Sequence, residues 1–122
     1  MNEEQKPIIK LIRGGFEFSA SHNLPKKFGC KENTLHSHKY ALEVVAMDIV
    51  EEGMVMNTEH IKEIVTEVIS ALDKKNLNNY FEIPSMENIV IWVYNQIKPK
   101  MPLLNEITLR ETPKNSVTYS GN

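Results

Sequence analysis

Cysteine is nearly absent. The 122-residue chain holds one, Cys30, so no disulfide can form within it, and a small secreted disulfide scaffold is excluded. An excess of charge of either sign is missing too. The net charge is -2 at pH 7 with 25% charged residues, which excludes the strongly basic footprint by which most proteins meet nucleic acid. No apolar run approaches the roughly 20 residues that a membrane-spanning helix needs. The opening MNEEQKP has no apolar stretch of the secretory-signal kind. The expectation is a cytoplasmic protein with no nucleic-acid or membrane partner. Hydrophobic residues make up 41%, ordinary for a globular chain. At this length the expectation is a single domain over residues 1–122, with 1–7 a loose lead-in.

The pattern that is present divides into six elements. IIKLIRGGFEFSASH (8–22) reads as a strand in which Phe16, Phe18, Ala20 and His22 share one face, and the Gly14-Gly15 pair predicts a bulge or bend. NLPKKFGCKENT (23–34) reads as a loop. A second strand is expected from about Leu35 to Glu51, making a hairpin with the first, and Gly53 marks a turn. Apolar residues at steps of three and four predict helices over 58–75, capped by Asn57, and over 86–98, capped by Ser85. Strands are expected over 103–112 and 115–121. The order β-β-α-α-β-β implies an α+β fold, an antiparallel four-stranded sheet with two helices on one face. Two sheet edges on so small a protein favour a homo-oligomer.

Chemistry concentrates in CKENTLHSHKY (30–40). His36 and His38 are two apart on a strand, so both imidazoles leave one face. His22 ends the preceding strand. If the strands pair around the loop, the three converge. Neutral imidazole is a good zinc ligand, and three of them leave a fourth position for water or substrate, the catalytic form of a zinc site. The plainer reading leaves them as surface or cap residues. His60, in the first turn of a helix, is expected to face solvent.

Cys30 stands between Lys27 and Lys31 in a polar loop, where positive charge favours the reactive thiolate. It can serve as a proton-transfer group, as a fourth zinc ligand, or only to fill space. Asp73 lies near a helix C-terminus, where a carboxylate opposes the dipole. It is either a solvated charge or a functional partner. Glu111 shares the parity of the apolar Ile107 and Leu109. That suits a carboxylate that receives paired N–H donors of a ligand, or an edge salt bridge. Glu87 sits in the first turn of the second helix, where the dipole alone accounts for an acid.

Taken in order, these segments resemble the 6-pyruvoyl-tetrahydropterin synthase and 6-carboxy-tetrahydropterin synthase family over Phe16 to Tyr119. FSASH is similar to the segment holding the family's first zinc ligand. Cys30 followed by HSHKY is similar to its Cys…His-Gly-His-x-Tyr segment, and GMVMN to the opening of its first helix. LDKKNLN resembles Leu-Asp-His-x-x-Leu-Asn, PSMEN resembles Pro-Thr-x-Glu-Asn, and ETP its C-terminal Glu-Thr segment.

The resemblance implies a T-fold whose subunits close their sheets into a barrel and stack as trimers into a hexamer with interfacial active sites. It implies zinc held by His22, His36 and His38, and a zinc-dependent lyase acting on 7,8-dihydroneopterin triphosphate with loss of triphosphate. Glu111 would anchor the pterin, with Glu87 a second ligand-binding candidate. Cys30, Asp73 and the residue at position 74 would share the proton work. The product would be 6-carboxy-tetrahydropterin, of the queuosine-type pathway, or 6-pyruvoyl-tetrahydropterin. The chain departs from the pattern at Lys74, where the family has histidine, at Ser37 for glycine and at Met86 for threonine. A histidine titrates near neutrality, and a lysine ordinarily only near about 10.4. Three further readings follow: a weakened or non-catalytic pterin-binding homologue, a relative that forms hydroxymethyl-dihydropterin, and a structural zinc protein with Cys30 as a fourth ligand.

Overall fold

The computed structural model describes residues 6–24, 35–50, 53–111 and 113–122. Strands β1 (Ile8–His22) and β2 (His36–Ile49) form a long antiparallel hairpin. Helix α1 (Thr58–Ser70), a two-residue strand β3 (Lys75–Asn76) and helix α2 (Met86–Ile97) follow, and then β4 (Leu104–Arg110) and β5 (Ser116–Tyr119). The sheet order is β3-β1-β2-β4-β5. The four expected strands are present and antiparallel to their neighbours. The short β3 runs parallel to β1, so the five-stranded sheet is mixed.

The caps are the expected ones. Asn57 Oδ1 accepts from the Glu59 amide and Ser85 Oγ from the Asn88 amide, satisfying donors that a helix start leaves unpaired. Helix α1 stops at Ser70 rather than 75, because the chain turns there and passes into β3. Ile61, Ile64, Val65, Val68 and Ile69 of α1 and Ile89, Val90, Val93 and Ile97 of α2 are buried in one core with Phe16, Phe18, Leu42, Val44, Ile107 and Leu109 of the sheet. In β4 a register irregularity opposite Val45 and Ala46 puts Leu104, rather than Leu103, in the core.

The bulge in β1 decides the face on which the site is built. Arg13 pairs with Val44 and Phe16 with Leu42, so Gly14 and Gly15 together oppose Glu43. Gly15 has φ +85°, a conformation that costs glycine little and other residues more. One extra residue exchanges the two faces of a strand. Before the bulge Leu11 and Arg13 share the face of Val44 and Ala46. After it Phe16, Phe18, Ala20 and His22 take that face, opposite Leu42, Tyr40, His38 and His36.

Candidate metal centre and active site

The hairpin register sets His22 directly opposite His36 and Ala20 opposite His38. The three rings meet edge to face, with centroids 4.8 Å (22–36), 5.0 Å (22–38) and 4.6 Å (36–38) apart. Their ligand atoms all lie within 4.8 Å of one another. Among the described residues this is the group of side chains arranged to hold a metal ion.

Two observations show that the donors suit zinc. His22 is 1% exposed, and the Nε2 atoms of His22 and His38 are buried without a hydrogen-bond partner. An orphaned buried nitrogen is costly unless something fills its lone pair. Glu111 Oε1 stands 3.1 Å from His38 Nε2 but makes no hydrogen bond to it, so that nitrogen remains unsatisfied. Nδ1 of His22, by contrast, lies 3.1 Å from the carbonyl oxygen of Pro84 and 3.2 Å from the Tyr40 hydroxyl. A ligand histidine anchored through its other nitrogen is the usual design of a zinc site. Burial lowers the His22 pKa from its ordinary value; Glu111 opposes that shift, and the two other imidazoles add to it. The ring is thus kept neutral, the form that binds metal.

The strand carrying His22 is clasped along its outer edge by residues 73–78. Asp73 Oδ1 accepts from the Ser19 amide at 3.0 Å, and the Lys74 amide donates to the Ser19 carbonyl. Ala20 and Ser21 pair with Lys75 and Asn76. Asn78 then accepts from the Asn23 amide at 2.9 Å and donates to the Asn23 carbonyl at 3.1 Å. By sequence alone Asp73 opposes a helix dipole. In the structure it stands beyond the end of α1, bonded to the strand. Lys74 has φ +61° and an exposed side chain.

Of the other candidates, the structure brings Glu111 to the cluster through His38. Asp73, Lys74 and Glu87 stand outside the metal-holding group, and Glu87 is exposed on the first turn of α2. His60 is exposed, 3.9 Å from Glu63, as expected. Cys30 lies outside the described residues. Sequence reasoning missed Tyr40 and Pro84 as neighbours of a ligand. Tyr40 had a signal, since it follows His38 by two on the same strand face; a backbone carbonyl has none. Beside the cluster a cleft of about 370 Å³ is lined by Glu17, Lys39, Tyr40, Ala41, Arg110, Glu111 and Pro113. Glu111 and Tyr40 therefore touch both the histidines and the cleft. No helix among the described residues is long and apolar enough to cross a membrane.

An α+β fold with helices on one face of the sheet and an intact three-histidine centre at the His22–His36 end of the hairpin defines a zinc-site protein of the T-fold class. The family described as 6-pyruvoyl tetrahydropterin synthase matches residues 11–122. The chain belongs to that family.

The 6-pyruvoyl tetrahydrobiopterin synthase of Drosophila melanogaster is 33% identical over 139 aligned positions, covering 96% of this chain and 82% of that protein. The dihydroneopterin monophosphate aldolase of Pyrococcus furiosus is 37% identical over 68 residues, 56% of this chain and 60% of the aldolase. The structure of Caenorhabditis elegans 6-pyruvoyl tetrahydropterin synthase superposes with a TM-score of 0.86 at 29% identity, covering 95% of this chain and 97% of that one.

Proposed function

We propose that this chain is a zinc-dependent lyase acting on 7,8-dihydroneopterin triphosphate, giving 6-carboxy-tetrahydropterin by loss of triphosphate and, with uptake of water, cleavage of the outer two side-chain carbons as a two-carbon aldehyde; 6-pyruvoyl-tetrahydropterin is the other outcome, in which triphosphate alone is lost and all three carbons stay. The observation that carries this reading is the convergence of His22, His36 and His38 on a buried point that adjoins Glu111 and the cleft. Bound there, zinc would supply Lewis acidity to substrate oxygens while protons move between neighbouring carbons. Glu111 accepts the paired N–H donors of the pterin, and Glu87 is a second ligand-binding candidate. The Cys30 thiol and the Asp73-Lys74 pair carry the proton transfers. The whole chain acts as one domain in the cytoplasm. It assembles as a homo-hexamer of stacked trimers, which places Asp73 and Lys74, both outside the metal cluster of their own chain, at an active site shared between subunits.

A second reading is favoured by one observation, the likeness to the Pyrococcus furiosus aldolase. In it the same site cleaves the pterin side chain to a hydroxymethyl product. The zinc-loaded protein is to be incubated with 7,8-dihydroneopterin triphosphate, and triphosphate and pterins resolved by chromatography and mass. Triphosphate release with a carboxy or pyruvoyl product supports the lyase. A hydroxymethyl product selects the aldolase reading. Binding without turnover selects a pterin-binding homologue disabled at Lys74. In the lyase, Cys30→Ala is expected to keep one zinc per chain and lose turnover; unchanged turnover removes the thiol from the reaction.

A further inference from the structure

His22 presents its metal-facing lone pair only in one tautomer. Its two ring nitrogens share one proton in the neutral form, and the partner of one nitrogen decides the state of the other. Nδ1 has two neighbours, the Pro84 carbonyl and the Tyr40 hydroxyl. A carbonyl oxygen can only accept, whereas a hydroxyl donates or accepts. The Pro84 contact therefore requires Nδ1–H and leaves Nε2 with a free lone pair. A Tyr40 hydroxyl donating to Nδ1 would require the opposite, a proton on the buried Nε2 that has no hydrogen-bond partner.

The Pro84 carbonyl is held in place from outside the cluster. Asn88 Nδ2 donates to the Ile83 carbonyl at 2.9 Å, and the Asn88 amide donates to Ser85 Oγ at 3.2 Å. The residues on both sides of Pro84 are thus tied to the first turn of α2. Proline at the centre fixes its own φ and restricts the residue before it. Pro84 itself is buried.

We propose that Asn88 is a positioning residue for the metal site. Through the Ile83–Ser85 turn it aims the Pro84 carbonyl at His22, fixes that ring as the Nδ1–H tautomer and turns Nε2 to the ion. Helix α2, which supplies no metal ligand among the described residues, thereby sets metal affinity. This inference rests on the zinc reading of the site.

The test uses the zinc-loaded full chain as wild type, Asn88→Ala and Tyr40→Phe. Zinc affinity is read by competition with a chromophoric chelator, and the imidazole protons by nitrogen-15 correlation spectra. The wild type is expected to show a His22 Nδ1 proton. Asn88→Ala is expected to bind zinc about fivefold more weakly, the worth of one net hydrogen bond. Tyr40→Phe is expected to keep both the proton and the affinity. Asn88 is no more than structural if its removal lowers the melting temperature and leaves zinc affinity unchanged, which overturns the proposal. So does a wild-type spectrum without the Nδ1 proton, or a Tyr40→Phe variant that loses it. Should Asn88→Ala fail to fold, Asn88→Asp, which keeps the side chain's size but lacks the Nδ2 donor to the Ile83 carbonyl, is measured in its place with the same outcomes. A wild type that takes up no zinc overturns the metal reading itself; a zinc-replete wild type with an unaltered Asn88→Ala overturns only this one.

Discussion

Replacing Asp73 separates a structural role from a chemical one. Its carboxylate accepts the Ser19 amide at 3.0 Å, and the next residue's amide returns a bond to the Ser19 carbonyl. Removing the acceptor in Asp73→Ala leaves a strand-edge N–H to water and loosens the clasp beside His22. A hydrogen bond to a charged group contributes about 1.5–3 kcal/mol when well shielded. This one is solvent-accessible, so about 1 kcal/mol is the appropriate size. For a chain of this length that lowers the melting temperature by about 4 °C. Asp73→Asn keeps an oxygen in the same place and is expected to hold the melting temperature while losing the ability to exchange a proton. Thermal melts of the zinc-loaded proteins, run beside the turnover assay, read both effects. If Asp73→Ala melts with the wild type, the clasp contributes nothing and the reasoning fails. If Asp73→Asn turns over normally, the carboxylate serves the strand alone.

Two further outcomes follow from the same geometry. In the zinc-free protein, burial places the folded-state His22 pKa below its unfolded value near 6.5. The unfolded chain then binds more protons, so stability is full above that value and falls as pH drops through it. A melting temperature that does not fall between pH 7.5 and 5.5, or that falls equally in His22→Gln, would contradict this. Gly15→Ala puts a side chain at φ +85° in the bulge, for an expected loss of about 1 kcal/mol or more by thermal melt; an unchanged melt would show that the bulge relaxes without strain.

The parts of this protein that were legible in its sequence are those written in side-chain periodicity. Two helical stripes, their Asn57 and Ser85 caps, the long hairpin and the shared face of His36 and His38 follow from residue type and spacing, and the structure shows each of them. Backbone partners left no comparable trace. Strand β3 is two residues long and lies in a stretch whose apolar and polar residues fit a helix end equally well. What makes it a strand is the neighbouring edge of β1, a tertiary contact. Asp73 had the same difficulty: its identity suggested chemistry, and its position relative to Ser19 became visible only once the chain had turned after Ser70.

The Gly14-Gly15 pair lies between these cases. The glycines were plain, but the sequence did not say that the extra residue exchanges the faces of β1. Without the exchange, Phe16, Phe18 and Ala20 would leave the core and His22 would leave His36 and His38. The hydrophobic drive to bury two phenylalanines thus selects the register that also assembles the histidine cluster. Fold and site here share one determinant, and a substitution that shifts the bulge should lose zinc and core packing together.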